Sequence, residues 1–404
     1  MHNKLTLDDI NITGKRALIR VDFNVPLDDM GNVREYTRIK AALPTIHNIL
    51  DYDGSAVLMS HFGRPNGKKN PALSLVPVVS ALEKFLGHKV LFVSDCVGEE
   101  VEEIAHALKP GEIMLVENVR FHPGEGTNDP VFAGQLAKLG EIFINDAFGA
   151  VHRNQASVNA ITQYFPGHAA AGRLMMRELR FLERTLINPV HPFIGIVGGA
   201  KISSKIKTIA KLLPKVEKLL IGGGMAYTLI KAKGGKIGSS LVEDDQLQIA
   251  RDILSLPNAE EKILLPVDSI VAQDLEYGSE RRTYSSDAIP DGWRGLDLGR
   301  EAREEFVNAT NGAATVLWNG PMGMFERESF APGTRAVARA MSNVTSKGGT
   351  VVVGGGDTTA ALNKFNLMAP MTHISTGGGS LLEFMEGNVL SGVKVLSDRK
   401  VNNA

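Results

Sequence analysis

The stretch TVVVGGGDTTAALNKF, residues 350–365, carries an apolar strand into three glycines, then an acid, then a segment with helical spacing. The same handover recurs in LLIGGGMAYTLI, residues 219–230, and HISTGGGSLLEF, residues 373–384. Looser versions follow PFIGIV, as Gly198-Gly199-Ala200-Lys201, and ATVLW, as Asn319-Gly320-Pro321-Met322-Gly323. A strand that turns straight into a helix is the repeating unit of a parallel α/β sheet. Glycine lets a backbone approach a ligand closely, and the N–H groups that open a helix favour an anion. A tight turn accounts for any one of these junctions. Together, on one sheet edge, they predict a large flat ligand with phosphates, a nucleotide lying against the crest of the sheet.

Working outward, apolar runs alternate with helical segments along the whole chain. RALIRV, AVLMS, KVLFVS, IMLVE and IFIN read as buried strands in the first half; PFIGIVG, KLLIG, ILLPVDSIVA, ATVLWN, TVVVG and THIST in the second. Strands this continuously apolar are covered on both faces. At 404 residues the chain is too long for one ordinary core. The expected fold is α/β: two open parallel-sheet, Rossmann-like domains joined by a helix, with a cleft between them. In GRLMMRELRFLERTLINP, residues 172–189, Leu174, Met175, Leu179, Leu182 and Leu186 recur at helical spacing and Pro189 follows. Residues 172–187 are therefore the expected interdomain hinge helix, with a substrate domain over 1–171 and a nucleotide domain over 188–388.

Formal net charge is −1, so no global field points to nucleic acid or membrane. The single cysteine, Cys96, cannot form an internal disulfide and reads as a small buried hydrophobe after a strand. MHNKLTLDDI lacks the apolar centre of a signal peptide, and no stretch reaches the apolar length of a spanning helix. A cytoplasmic protein is expected.

Ligands of open α/β sheets bind beyond the carboxyl ends of the strands. In the first half those ends carry Asp22 and Asn24; His61 and Arg64; Arg120 and His122; His152 and Arg153. The loop before the first long helix adds Arg38. Singly, each arginine is best read as solvated. As a set on one rim they repel one another and need an anion, which their planar forks grip with paired hydrogen bonds. Asp22 and Asn24 could orient its hydroxyl groups; His122 and His152 are read as structural. In the second half, Lys201 and Lys205 lie four apart at an expected helix start and so share one face. Two cations at the positive end of a helix also point to a bound anion. Asp357 sits where nucleotide phosphates would lie and suits Mg²⁺. No G-x-x-x-x-G-K-[ST] and no intact G-x-G-x-x-G after a strand is found, which argues against a P-loop protein and a dehydrogenase.

RVDFNVP, SHFGRP, ENVRFHPGE, NDAFGAVHR, GGAKISSKI, IGGGMAYT, LWNGPMGMFE, VVVGGGDTT and ISTGGG, in this order from residue 15 to about 390, resemble the phosphoglycerate kinase family. The resemblance implies a glycolytic and gluconeogenic kinase whose first domain binds 3-phosphoglycerate and whose second binds MgATP or MgADP. It places Asp22, Asn24, Arg38, His61, Arg64, Arg120 and Arg153 at substrate positions. Lys201, Lys205, Glu326, Gly355, Gly356, Asp357 and Thr358 fall at nucleotide and phosphoryl-transfer positions, with Asn319 in a loop near the nucleotide. Glu326 would contact the ribose and Asp357 the metal. Residues 389–404 would return to the first domain, and a monomer is expected. Gln155, Ser380 and Leu381 depart from the family pattern, as does the glycine-rich PGEGTND.

The implied reaction moves a phosphoryl group reversibly between ATP and the carboxylate of 3-phosphoglycerate, giving 1,3-bisphosphoglycerate and ADP. Arg38, Lys201 and Lys205 would stabilise the transferring group, with Mg²⁺ on Asp357. Separate sites on two domains imply closure before transfer. Two alternatives stay open on the residues alone: a kinase for another small carboxylic acid, and a non-catalytic two-lobed protein that closes on an anion.

Overall fold

The computed structural model describes residues 3–276 and 280–399. The chain divides into two units: one runs through Arg180 and resumes at Val389, the other is Phe181–Asn388. The first holds six parallel strands, β1 (Arg16–Arg20), β2 (Ser55–Met59), β3 (Val90–Val93), β4 (Ile113–Val116), β5 (Ile142–Asn145) and β6 (Ala169–Ala171), in the order β3-β4-β2-β1-β5-β6. β2, β4 and β5 are buried along their full length, which is why their sequences are apolar without alternation. The helix Thr37–Asp51 buries Ile39, Ala42, Ile46 and Ile49 at helical spacing and tolerates Pro44 within it. The returning C-terminal segment is hydrogen-bonded into this unit: Leu5 N–H donates to Ser397 O, Ser397 N–H to Ala169 O and Gly392 N–H to Val151 O.

The second unit has its own parallel strands, β7 (Phe193–Val197), β8 (Lys218–Ile221), β9 (Lys236–Ile237), β10 (Ile263–Leu264), β15 (Thr315–Asn319), β16 (Thr350–Gly354) and β17 (His373–Ile374). All but β9 form one sheet in the order β10-β8-β7-β15-β16-β17. Trp318, Val316, Val351, Val353 and Phe306 fill its core. Between β10 and β15 lie β11 (Asp268–Ala272), β12 (Arg281–Ser285), β13 (Ala288–Ile289) and β14 (Arg294–Leu298); β12-β11-β14 is a small antiparallel sheet and β13 pairs with β9. ILLPVDSIVA, expected as one strand, is therefore two strands in different sheets. Pro266 lies between them, where its missing N–H ends the ladder.

The stretch expected as a single helix over 172–187 is an α-helix over Arg173–Leu182 continued by a π-helical turn over Glu183–Ile187. The division between the units falls inside it. Its first turn is held by Asp146, at the end of β5, whose Oδ1 accepts from Met175 N–H at 3.1 Å. Burial pushes that carboxyl up to about 6.

Candidate functional site

In the first unit, parallel pairing brings the carboxyl ends of β4, β2, β1 and β5 side by side. Asp22, just beyond β1, is buried and takes Arg38 Nη1 on both oxygens at 2.9 Å; the same nitrogen reaches Asn24 O at 3.1 Å. Asn24 Oδ1 accepts Gly63 N–H at 2.9 Å, tying the β1 loop to the β2 loop. The two residues expected to orient substrate hydroxyls are thus also braces of the site. Arg120 Nη1 donates to Gly63 O at 2.8 Å and Nη2 to Gln155 Oε1 at 3.3 Å.

His61 sits among these cations and is buried. Burial, then the charges of Arg20, Arg120, Arg153 and Arg38, hold its imidazole well below the usual range, so the ring is neutral. Arg20 Nη2 lies 3.2 Å from Nδ1. A guanidinium only donates, so Nδ1 accepts and the proton belongs on Nε2. Arg120 is brought down to about 10, by burial first and then by Arg20 and Arg153. Guanidinium groups that depress one another in this way favour an anion among them. Arg64, on the β2 loop, is exposed.

Arg20 is the residue that sequence reasoning missed. It is fully buried at the end of β1, with Nε on Ser157 Oγ at 2.8 Å and Nη1 on Val21 O. Ser157 in turn donates from Oγ to Glu125 Oε1 at 2.7 Å and from N–H to Oε2 at 2.9 Å. A charge inside the apolar run RALIRV was the signal, since a buried arginine needs such partners.

In the second unit the glycine junctions end β7, β8, β15, β16 and β17, all on one edge of one sheet. A cavity of about 270 Å³ opens there, lined by backbone at Gly199, Gly223 and Gly295, by apolar Leu241 and Met324, and by Glu326 and Asp357. Its apolar walls from the β14 region were not legible in the glycine pattern. Asp357 is exposed in the first turn of the helix Gly356–Lys364, whose N-cap is Gly355 at φ 92°. Glu326 is exposed on a loop held by Lys364, which donates to Phe325 O at 2.9 Å and Glu326 O at 2.8 Å. Thr358 is buried, and its Oγ1 accepts Gly320 N–H at 2.7 Å.

Lys205 donates to Asn319 Oδ1, while Asn319 Nδ2 is buried without a protein partner. Burial brings the Lys205 ammonium down to about 8, against the opposing pull of Asp357 and Glu386. Lys201 does not share a helical face with it. Residues 202–205 form a turn and the helix begins at Ile206, because Glu243 takes Ser203 N–H at 2.9 Å and Ser203 Oγ at 2.6 Å. Lys201 itself is exposed.

The glycines divide in two by what a Cβ would meet. At Gly198 it would lie 2.7 Å from Gly320 O, and at Gly223 2.6 Å from Gly199 O, so these serve close packing of the chain on itself. At Gly199 and Gly356 it would meet open space.

The sequence profile described as phosphoglycerate kinase matches residues 7–388. A phosphoglycerate kinase of Moorella thermoacetica is 51% identical over 397 residues, 98% of this chain and all of that one. One from Chlorobium phaeovibrioides is 50% identical over 396 residues, with the same coverage of both chains. Among solved structures, phosphoglycerate kinase from Coxiella burnetii superposes with a TM-score of 0.86 at 39% identity, covering 97% of this chain and 98% of that one. The enzyme from Pyrococcus horikoshii gives 0.85 at 29% identity, with the same coverage.

Proposed function

The chain belongs to the phosphoglycerate kinase family, and from that premise we propose how its own side chains divide the work. The reaction is the reversible, glycolytic transfer of a phosphoryl group between ATP and the carboxylate of 3-phosphoglycerate. The acceptor carboxylate is already ionised at neutral pH, so no general base is needed. What must be supplied is positioning, and cover for the charge of two anions brought together.

Arg38, Arg120 and Arg153 form the seat for 3-phosphoglycerate around His61, which the fully buried Arg20 braces through Nδ1; the convergence of these cations on one ring is the observation that carries this reading. His61 donates from Nε2 to a ligand oxygen. Arg38 spends Nη1 on Asp22 and Asn24, which leaves the Nε and Nη2 edge of its guanidinium for the ligand. Arg64, Asp22 and Asn24 complete the seat. On the nucleotide side, the 270 Å³ cavity takes the base and ribose, with Glu326 at the ribose. Main-chain N–H groups at Gly355, Gly356 and Thr358 take phosphate oxygens. Lys205 and Lys201 join Arg38 on the transferring group, and Asn319 Nδ2 is a further donor. Donor and acceptor groups lie on different units, so the two sets must meet for transfer.

One exposed carboxylate at a helix start, with room for phosphates beside it, suits a hard ion that keeps water and phosphate ligands. Asp357 would hold the Mg²⁺ that ordinarily accompanies ATP in this family, and the ion neutralises phosphate charge when bound.

The test is a coupled assay for ADP formed from ATP and 3-phosphoglycerate, on the wild type and Arg38→Ala. The variant should lose about 3–4 kcal/mol of barrier stabilisation, a fall in kcat of roughly 10²–10³, with little change in ATP affinity. A normal kcat would remove Arg38 from the transition state.

A further inference from the structure

Asp95, Cys96 and His122 offer a carboxylate oxygen, a thiol sulfur and an imidazole nitrogen, all within 4.8 Å of one another. None of the three enters the transfer chemistry. We propose that they form a binding site for one thiophilic divalent cation of the zinc class, separate from the magnesium of the nucleotide.

The fold builds the cluster from two neighbouring strand ends. β3 and β4 pair in parallel with Val93 opposite Val116, so Asp95 and Cys96 come beside the loop that begins at Glu117. Glu117 N–H donates to Asp95 O at 3.3 Å and fixes the two loops together. His122 follows on that second loop, its ring stacked on Phe132 with centroids 5.1 Å apart. Its Nε2 already faces Asp95 Oδ1 at 2.7 Å. Hydrogen bonding and metal ligation want the same aim from both groups; bonds of about 2.0 Å to each atom open that pair slightly, and the sulfur, within 4.8 Å of both, closes to about 2.3 Å from the ion.

Access and charge favour a cation. The Asp95 side chain is 47% exposed and that of His122 30%, while Cys96 is 1% exposed beneath them. An ion can therefore enter from water and keep a water as fourth ligand, as zinc sites with three protein ligands do. The carboxylates of Asp95, Glu125 and Glu117 place negative charge around Cys96. A negative field of that kind opposes a bare thiolate but welcomes a dication that neutralises it. Binding forms the metal–sulfur bond and releases the thiol proton to solvent. The sulfur and nitrogen donors select a borderline or soft ion over Mg²⁺, which demands oxygen.

The sequence holds a single cysteine, which makes the test specific. Metal-free enzyme is titrated with Co²⁺ alone in millimolar Mg²⁺ and followed by absorbance. The expected result is a thiolate-to-cobalt charge-transfer band that saturates at one equivalent and is reversed by Zn²⁺ but not by more Mg²⁺. His122→Gln and Asp95→Asn, at partly exposed positions, should weaken binding at least as much as loss of an outer-shell partner does, roughly 10–100-fold. Cys96→Ser should abolish the band while circular dichroism reports the fold. Absence of a thiolate band in the wild type, or unchanged affinity in both His122→Gln and Asp95→Asn, would overturn the proposal.

Discussion

Above about pH 8, the free enzyme should lose its reactivity toward nucleotide as Lys205 loses its charge. Burial holds that ammonium at about 8 against an ordinary 10.5. At 1.36 kcal/mol per pH unit, the difference is roughly 3 kcal/mol of desolvation left uncompensated by Asp357 and Glu386. An arriving triphosphate restores the partner that the site lacks, so the cost is recovered only in the complex. By about pH 9, roughly one free enzyme molecule in ten still carries the proton, and kcat/KM for MgATP should have fallen about tenfold from its plateau. At saturating nucleotide the phosphates draw the proton back, so kcat should stay flatter over the same range. The assay is initial-rate ADP formation at fixed, saturating 3-phosphoglycerate. Lys205→Arg keeps a permanent charge and should level the alkaline limb, at whatever ceiling its different shape allows. The proton linkage of Lys205 itself does not favour unfolding there. Over this window the unfolded chain binds the proton that native Lys205 has given up, so this group raises stability as pH climbs from about 8 to 10.5. A wild-type profile level to about pH 9.5, or the same limb in Lys205→Arg, would refute the reasoning.

Three further outcomes are expected. Asp357→Asn should raise the Mg²⁺ concentration needed for half-maximal rate, and an unaltered metal titration would reassign the ligand. Gly198→Ala should cost at least the roughly 1–3 kcal/mol of an overpacked core, read as a lower urea midpoint, because its Cβ would meet Gly320 O at 2.7 Å and the Pro321 carbonyl; Gly356→Ala, with open space at that position, should leave the midpoint nearly unchanged. Asp297 is buried beside Gly333, whose N–H it accepts at 2.7 Å, and burial pushes its carboxyl up to about 7. Between about pH 4 and 7 the native state keeps a proton that the unfolded chain releases, so stability falls with rising pH by a few kcal/mol in order of magnitude; Asp297→Asn should flatten that slope in urea melts at pH 5 and 7.5.

The sheets were legible because their strands are buried on both faces, and burial writes itself as unbroken apolar runs such as IMLV at Ile113–Val116. The antiparallel sheet β12-β11-β14 was not. The β12 segment RRTYS is largely exposed and carries little apolar signal, and DSIVA of β11 runs on from ILLP, so only Pro266 marked the change of sheet. The turn at 202–205 was hidden for another reason. The glutamate that holds Ser203, Glu243, comes from 40 residues away, and local spacing cannot report a partner at that distance.

The site separates along the same line. Residues at strand ends were legible because topology alone carries them to one edge, and Asp22, His61 and Arg120 need nothing more to meet; Arg38 joins them from the first turn of the helix Thr37–Asp51. Arg20 lies inside a strand, and its role depends on Ser157 and Glu125, which only the fold brings beneath it. The glycines show where a correct pattern can carry a mixed cause. Gly198 and Gly223 are bare because Gly320 and Gly199 press on them, whereas a Cβ at Gly199 or Gly356 would meet open space. Both kinds produce the same letters at the same junctions. Packing the loops that tightly is what sets the open glycines at the crest, so the crowded positions shape the phosphate edge without facing it. A ligand should therefore feel Gly198→Ala through displaced loops and Gly356→Ala through direct contact: the first change should weaken nucleotide binding in step with stability, the second with stability intact.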